Sequence, residues 1–217
     1  MNKKLGIIFF LVIFCFQLNA QTKLDSLTEA KYKKDSVNFI NFPDCVLLDS
    51  IIPDKKIIKW ELNRVDSWDG SPEYRNLYRS SHAEKLKKDS VMEKFSDGFG
   101  TICAPGWCSW YVTVEKKDTL YSIGDINSLS GFIGSIDNVY DAYFWLISHD
   151  LADHTEVPLK ILPKARYKIL KDGYLIELHL MINTCPITFA DELYFVPKNK
   201  KIKKLRRKIT EQGTGCI

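Results

Sequence analysis

The chain has 217 residues, with 31 Lys and Arg against 27 Asp and Glu, a formal net charge of +4, 45% hydrophobic and 12% aromatic residues. So balanced a composition excludes a disordered or low-complexity chain. So small a net charge excludes recruitment to nucleic acid by the overall field.

The chain opens on Lys3 and Lys4, followed by an almost purely apolar run from Leu5 to Phe16 and by Leu18-Asn19-Ala20, which ends in a small residue. This is the three-part pattern of a cleavable signal peptide. Twelve apolar positions, at about 1.5 Å each, reach roughly 18 Å, short of the roughly 30 Å hydrocarbon core. A permanent transmembrane helix is therefore not expected once residues 1–20 are removed, and the address is secreted or periplasmic. Cys15 lies inside the apolar run and leaves with it. The mature chain keeps 29 basic and 27 acidic residues, because residues 1–20 hold two lysines and no acid.

Residues 21–43 read as a lead segment, with Leu24, Leu27, Ala30 and Val37 in a weak helical pattern among lysines, and residues 44–217 as a single α+β domain. Cys45–Ile52 and Lys56–Asn63 are aliphatic runs either side of Pro53-Asp54-Lys55, which predicts a hairpin; residues 64–76 read as loop. Ser81 and Glu84 have capping-box spacing, predicting a helix over about 81–95 with Ala83, Leu86, Val91, Met92 and Phe95 on one face. Trp107–Glu115 and Thr119–Gly124 predict a second hairpin.

A central helical stretch over about 125–148 follows, with Asp125 and Asp137 as candidate caps and Gly131 and Gly134 as candidate breaks. Next, Tyr167–Leu170 and Tyr174–Ile182 predict a third hairpin around Lys171-Asp172-Gly173. In it Tyr174, Ile176, Leu178, Leu180 and Ile182 alternate with Leu175, Glu177, His179 and Met181, so one face is wholly apolar. Leu193–Val196 reads as a further strand. The fold class is α+β, an antiparallel sheet built from hairpins and packed by these helices.

Five cysteines remain in the mature chain: Cys45, Cys103, Cys108, Cys185 and Cys216. They allow at most two intrachain bridges in an oxidising compartment. Proximity singles out Cys103 and Cys108, bridged across Ala104-Pro105-Gly106-Trp107.

Two constellations could carry chemistry. His149-Asp150-Leu151-Ala152-Asp153-His154 crowds imidazoles and carboxylates, so His149, Asp153 and His154 are metal candidates; a helix C-terminus that favours histidine explains them equally. Cys108 with His149 or His154 as base would make a thiol hydrolase. Cys108, however, lies at a strand start without the helix N-terminus or adjacent cation that activates a thiolate. Trp107, Trp110, Tyr143 and Trp145 could form a ligand platform, although such spacings more commonly mark a core. No cofactor is expected, and no nucleic acid.

The remaining signal is Lys198–Lys208, where Lys198, Lys200, Lys201, Lys203, Lys204, Arg206, Arg207 and Lys208 occur without an acid. On an exported chain such a run suggests anionic lipid, polysaccharide or an acidic protein surface; a lysine-rich edge strand or terminal helix explains it without any ligand. Read as an exposed strip, it would tolerate serine at Lys203, Lys204, Arg206 and Arg207 with folding nearly intact. The leading reading is a non-enzymatic envelope or secreted binding or structural module. The alternative is a secreted hydrolase using the Cys–His pair or a His/Asp metal site.

Overall fold

The computed structural model describes residues 38–43, 47–54, 57, 59–67, 72–80, 99–103, 106–116, 119–150 and 161–215; for Ser67, Pro72, Tyr74, 100–103, 106–108, Lys116, Thr119 and Asp150 it describes the backbone alone. The signal segment, most of the lead, the expected helix at 81–95 and residues 151–160 lie outside the described residues.

Two antiparallel five-stranded sheets enclose one hydrophobic core. The first holds β2 (Lys59–Ser67), β3 (Pro72–Arg79), β4 (Phe99–Cys103), β5 (Gly106–Lys116) and β6 (Thr119–Ile123), in the order β3-β2-β5, with β4 and β6 sharing the other side of β5. The second has the order β1-β7-β8-β9-β10 and comprises β1 (Ile40–Asn41), β7 (Arg166–Leu170), β8 (Gly173–Thr184), β9 (Ile187–Pro197) and β10 (Lys203–Gln212). Two α-helices, α1 (Ile126–Ile133) and α2 (Val139–Asp150), and a 3-10 turn, Leu47–Ser50, complete the described elements.

The expected alternation governs β8. Tyr174, Ile176, Leu178 and Leu180 enter the common core and Ile182 packs against it, while Glu177 and His179 take the other face as a period of two requires. Gly173 makes the β7–β8 turn possible, because a Cβ there would lie 2.4 Å from the Val196 carbonyl oxygen. The other inner wall comes from Trp60, Leu62, Val112 and Val114. Trp110 stacks on Phe99 with ring centroids 4.3 Å apart and meets Phe144 at 5.9 Å. Trp110, Tyr143 and Trp145 are buried core residues, and the Trp107 side chain lies outside the described residues.

The central helical stretch is two helices. Asp125 caps α1 by accepting the amides of Asn127 at 2.9 Å and Ser128 at 3.0 Å, and Gly134, at φ 65°, ends it in the left-handed region that glycine tolerates. The cap of α2 corrects the sequence reading: Asn138, not Asp137, accepts the amides of Tyr140 at 2.7 Å and Asp141 at 2.9 Å. Asp141 turns back to the amides of Asp137 and Asn138, both at 3.2 Å, and reaches the Ile52 amide at 3.1 Å.

That last bond goes with a larger correction. Leu47–Ser50 forms a 3-10 turn, with Leu47 and Leu48 fully buried, rather than a strand of the expected first hairpin. β2 pairs with β3 and β5 instead. Within the stretch read as loop, residues 64–67 and 72–76 are strand instead, because β2 runs to Ser67 and β3 starts at Pro72. The charges that made it read as loop satisfy one another across the strands: Arg64 meets Asp66 at 2.5 Å, and Arg75 meets Glu73 at 2.8 Å and Asp66 at 3.6 Å.

Candidate functional site

The outer face of the second sheet carries polar side chains in rows fixed by register. Residues paired across antiparallel strands share a face, so Lys168, Leu175, Phe195 and Lys203 form one row and Arg166, Glu177, Leu193 and Arg206 the next. His179, Asp191 and Lys208 form a third row. Glu177 is buried at its centre and bound from both sides: Arg166 donates to Oε1 at 2.6 Å through Nε, and Arg206 to Oε2 at 2.7 Å.

Beside it the His179 ring shares a hydrogen bond with Asp191 at 2.9 Å through Nδ1 and lies parallel to Phe189, centroids 5.4 Å apart. The ammonium of Lys164 sits 3.5 Å from His179 Nε2. Sequence reasoning left His179 without a partner, since only the register of β8 on β9 brings residues 12 apart together.

A cleft of about 560 Å³ opens between this face and the segments 41–43 and 161–166; Asn41, Phe42, Lys164, Arg166, Glu177 and Asp191 are among its lining residues. Its size falls within the roughly 300–1,000 Å³ of small-ligand sites.

The basic run Lys198–Lys208 divides into a turn and the edge strand β10, and its eight cations divide by role. Lys204 and Arg207 both bind the buried carboxylate of Glu192, Lys204 at 2.9 Å, and the Tyr194 hydroxyl donates to the same group. Burial opposes the charge on Glu192, yet these hydrogen bonds and the nearby ammonium prevail and its pKa is lowered.

Lys200 is half-buried, and burial lowers its pKa. Its ammonium donates to Ser130 Oγ at 3.0 Å and to the Ser130 carbonyl in the last turn of α1, and lies 5.6 Å from the Trp145 ring centre, while its own carbonyl accepts from Trp145 Nε1 at 2.9 Å. A cation on terminal carbonyls complements the helix dipole. Lys200→Met should therefore lower stability by about 1–2 kcal/mol, measured by urea unfolding; an unchanged midpoint would contradict this latch.

The expectation of a uniformly exposed strip is thus corrected. Lys200, Lys204, Arg206 and Arg207 hold the fold, and serine at Lys204, Arg206 and Arg207 would leave two buried carboxylates short of partners. Lys198, Lys201, Lys203 and Lys208 are exposed, and their ammonium groups have no hydrogen-bond or ion-pair partner among the described residues.

The catalytic and metal candidates are placed only in part. His149 lies in the last turn of α2, exposed and with its ring centre 5.4 Å from that of Trp145; Asp153 and His154 lie outside the described residues. Among the described residues no three His, Cys, Asp or Glu side chains gather as a metal site. Cys108 stands in β5, opposite Asp66 of β2 and Thr101 of β4. Cys103 pairs with Gly106, which puts Cys103 and Cys108 on one face of the β4–β5 hairpin, one diagonal apart; their side chains lie outside the described residues. Cys185 is disulfide-bonded. Among the described residues no helix is long and apolar enough to cross a membrane.

No family model matches this chain, and neither the curated proteins nor the solved structures yield a match.

Proposed function

We propose that this chain is an exported, non-enzymatic binding module that holds an anionic polysaccharide along the β9–β10 edge. The observation that carries the reading is the division of the basic run: four cations are committed to buried groups, and Lys198, Lys201, Lys203 and Lys208 are left facing solvent without acidic partners among the described residues. Lys203 and Lys208 flank a bulge and pair with Phe195 and Asp191, four residues apart on β9, about 13 Å at the usual rise, a spacing that suits an extended polymer.

Polysaccharide is favoured over lipid because Asp191 and Glu211 lie in the rows beside these lysines. A continuous anionic membrane would meet those carboxylates, whereas a single chain can follow the edge and avoid them. Export is supported by the basic, apolar and small-residue pattern of residues 1–20 and by the disulfide at Cys185, a linkage that persists in oxidising compartments.

Chromatography on immobilised polygalacturonate tests the reading. The protein should be retained at low salt and released by about 1 M salt, where the screening length is ~3 Å. The variant K198S/K201S/K203S/K208S should elute unretained with an unchanged melting temperature. Binding to anionic vesicles but not to polygalacturonate would replace polysaccharide with lipid.

A further inference from the structure

Two lysines of the described chain hold left-handed backbone, Lys200 at φ 66° and Lys164 at φ 62°, a region that L side chains other than Asn and Asp seldom adopt. For Lys200 the surroundings explain it, since both ammonium and carbonyl are bound. Lys164 has no such reward. It is the third residue of the turn Leu162–Ala165, closed by the Ala165 amide on the Leu162 carbonyl at 3.1 Å. With proline second and a positive φ third, this turn favours glycine where Lys164 stands. The ammonium is largely exposed, 3.5 Å from His179 Nε2 and 3.9 Å from Glu211. A disfavoured backbone thus holds a weakly engaged cation against the cleft.

The other lining groups define what that cation would meet. Arg166 spends Nε and one terminal nitrogen on Glu177, and its remaining terminal nitrogen carries no bond among the described residues. Because Arg206 also binds Glu177, the ion cluster around it keeps a positive charge in excess. Asp191 gives one oxygen to His179, and its other oxygen and the Asn41 amide can bond hydroxyls.

We propose that this cleft binds a sugar carrying a carboxylate, a uronic acid unit, with Lys164 and Arg166 on the carboxylate and Asp191 and Asn41 on the hydroxyls. The inference rests on the polysaccharide reading and adds a subsite that would take one unit of the polymer.

Titration of the purified exported protein with galacturonate, galactose and inorganic phosphate, followed by NMR, tests it. Galacturonate should bind, and galactose and phosphate at least about tenfold more weakly, since a charged hydrogen bond is worth that factor or more. Lys164→Gly, which supplies the residue the turn prefers, should keep or raise the melting temperature while weakening galacturonate at least about tenfold. Absence of galacturonate binding, equal binding of phosphate, or unchanged affinity in Lys164→Gly would overturn the proposal. Binding of galacturonate by a protein that polygalacturonate fails to retain would refute the edge strip and leave the cleft standing.

Discussion

Replacing Lys204 and Arg207 together with methionine should destabilise the fold by about 3 kcal/mol, towards the lower end of the range for stripping a buried charge of its partners. The carboxylate of Glu192 is 1% exposed; without the two cations it retains only the Tyr194 hydroxyl among the contacts described above. The lower end applies because Lys204 and Arg207 are themselves about half exposed, so water would enter as they leave. Adding Glu192→Gln should recover much of the loss, since the charge that needed them is gone. Serine at Lys203 and Lys208 should cost no more than about 0.5 kcal/mol. Urea denaturation of the variants decides between these outcomes.

The same site has a pH signature. The pKa of Glu192 is lowered in the folded state, so its contribution is complete above the unfolded carboxylate value and is lost as pH falls through the folded one. The wild type should therefore lose stability on the acid side of the unfolded value, and the methionine pair should lose less over that window.

Asp141→Ala should cost about 3 kcal/mol, because one fully buried carboxylate serves the amides of Ile52, Asp137 and Asn138 and each unsatisfied buried group costs about 1–3 kcal/mol. The loss falls on the junction between the 47–50 turn and the start of α2. Asp141→Asn should cost less, about 1–2 kcal/mol, since its single carbonyl oxygen can still accept from Asp137 and Asn138 in place of Oδ2, while the Ile52 amide, which donates to Oδ1, is left facing the NH2 group. Burial raises the Asp141 pKa although the three amides pull the other way. A raised carboxylate pKa means stability that is complete below the unfolded value and lost as pH rises through the folded one, so the Asn variant should lack that decline. Equal destabilisation by Ala and Asn would contradict the bonding scheme.

What the sequence made legible follows from how local each determinant is. The alternation in β8, the Asp125 cap, the break at Gly134 and the hairpins at 116–119 and 170–173 depend on neighbours in the chain, and each appears where its residues place it. The 45–52 run misled because Leu47 and Leu48 suit a buried turn as well as a strand. The Lys56–Asn63 strand reading meets the first part of β2, but the end of β2 from Arg64 and all of β3 were hidden by Arg64, Asp66, Glu73 and Arg75, charges that become compatible with a sheet only once they pair.

The candidate site was less legible for the same reason. Arg166, Glu177 and Arg206 meet across three strands, and His179 meets Asp191 across two; no local pattern encodes those meetings. The basic run was visible, but its division into structural and free cations required knowing which acids lie beneath it.

The salt dependence of polygalacturonate binding, compared between the wild type and K198S/K201S/K203S/K208S, tests the edge-binding reading most directly. Exposed charges are screened within roughly 8 Å at physiological ionic strength, so wild-type affinity should fall steeply with added salt and the variant should show neither the affinity nor the slope. A wild type that binds without salt dependence, or a variant that binds with the same slope, would contradict it.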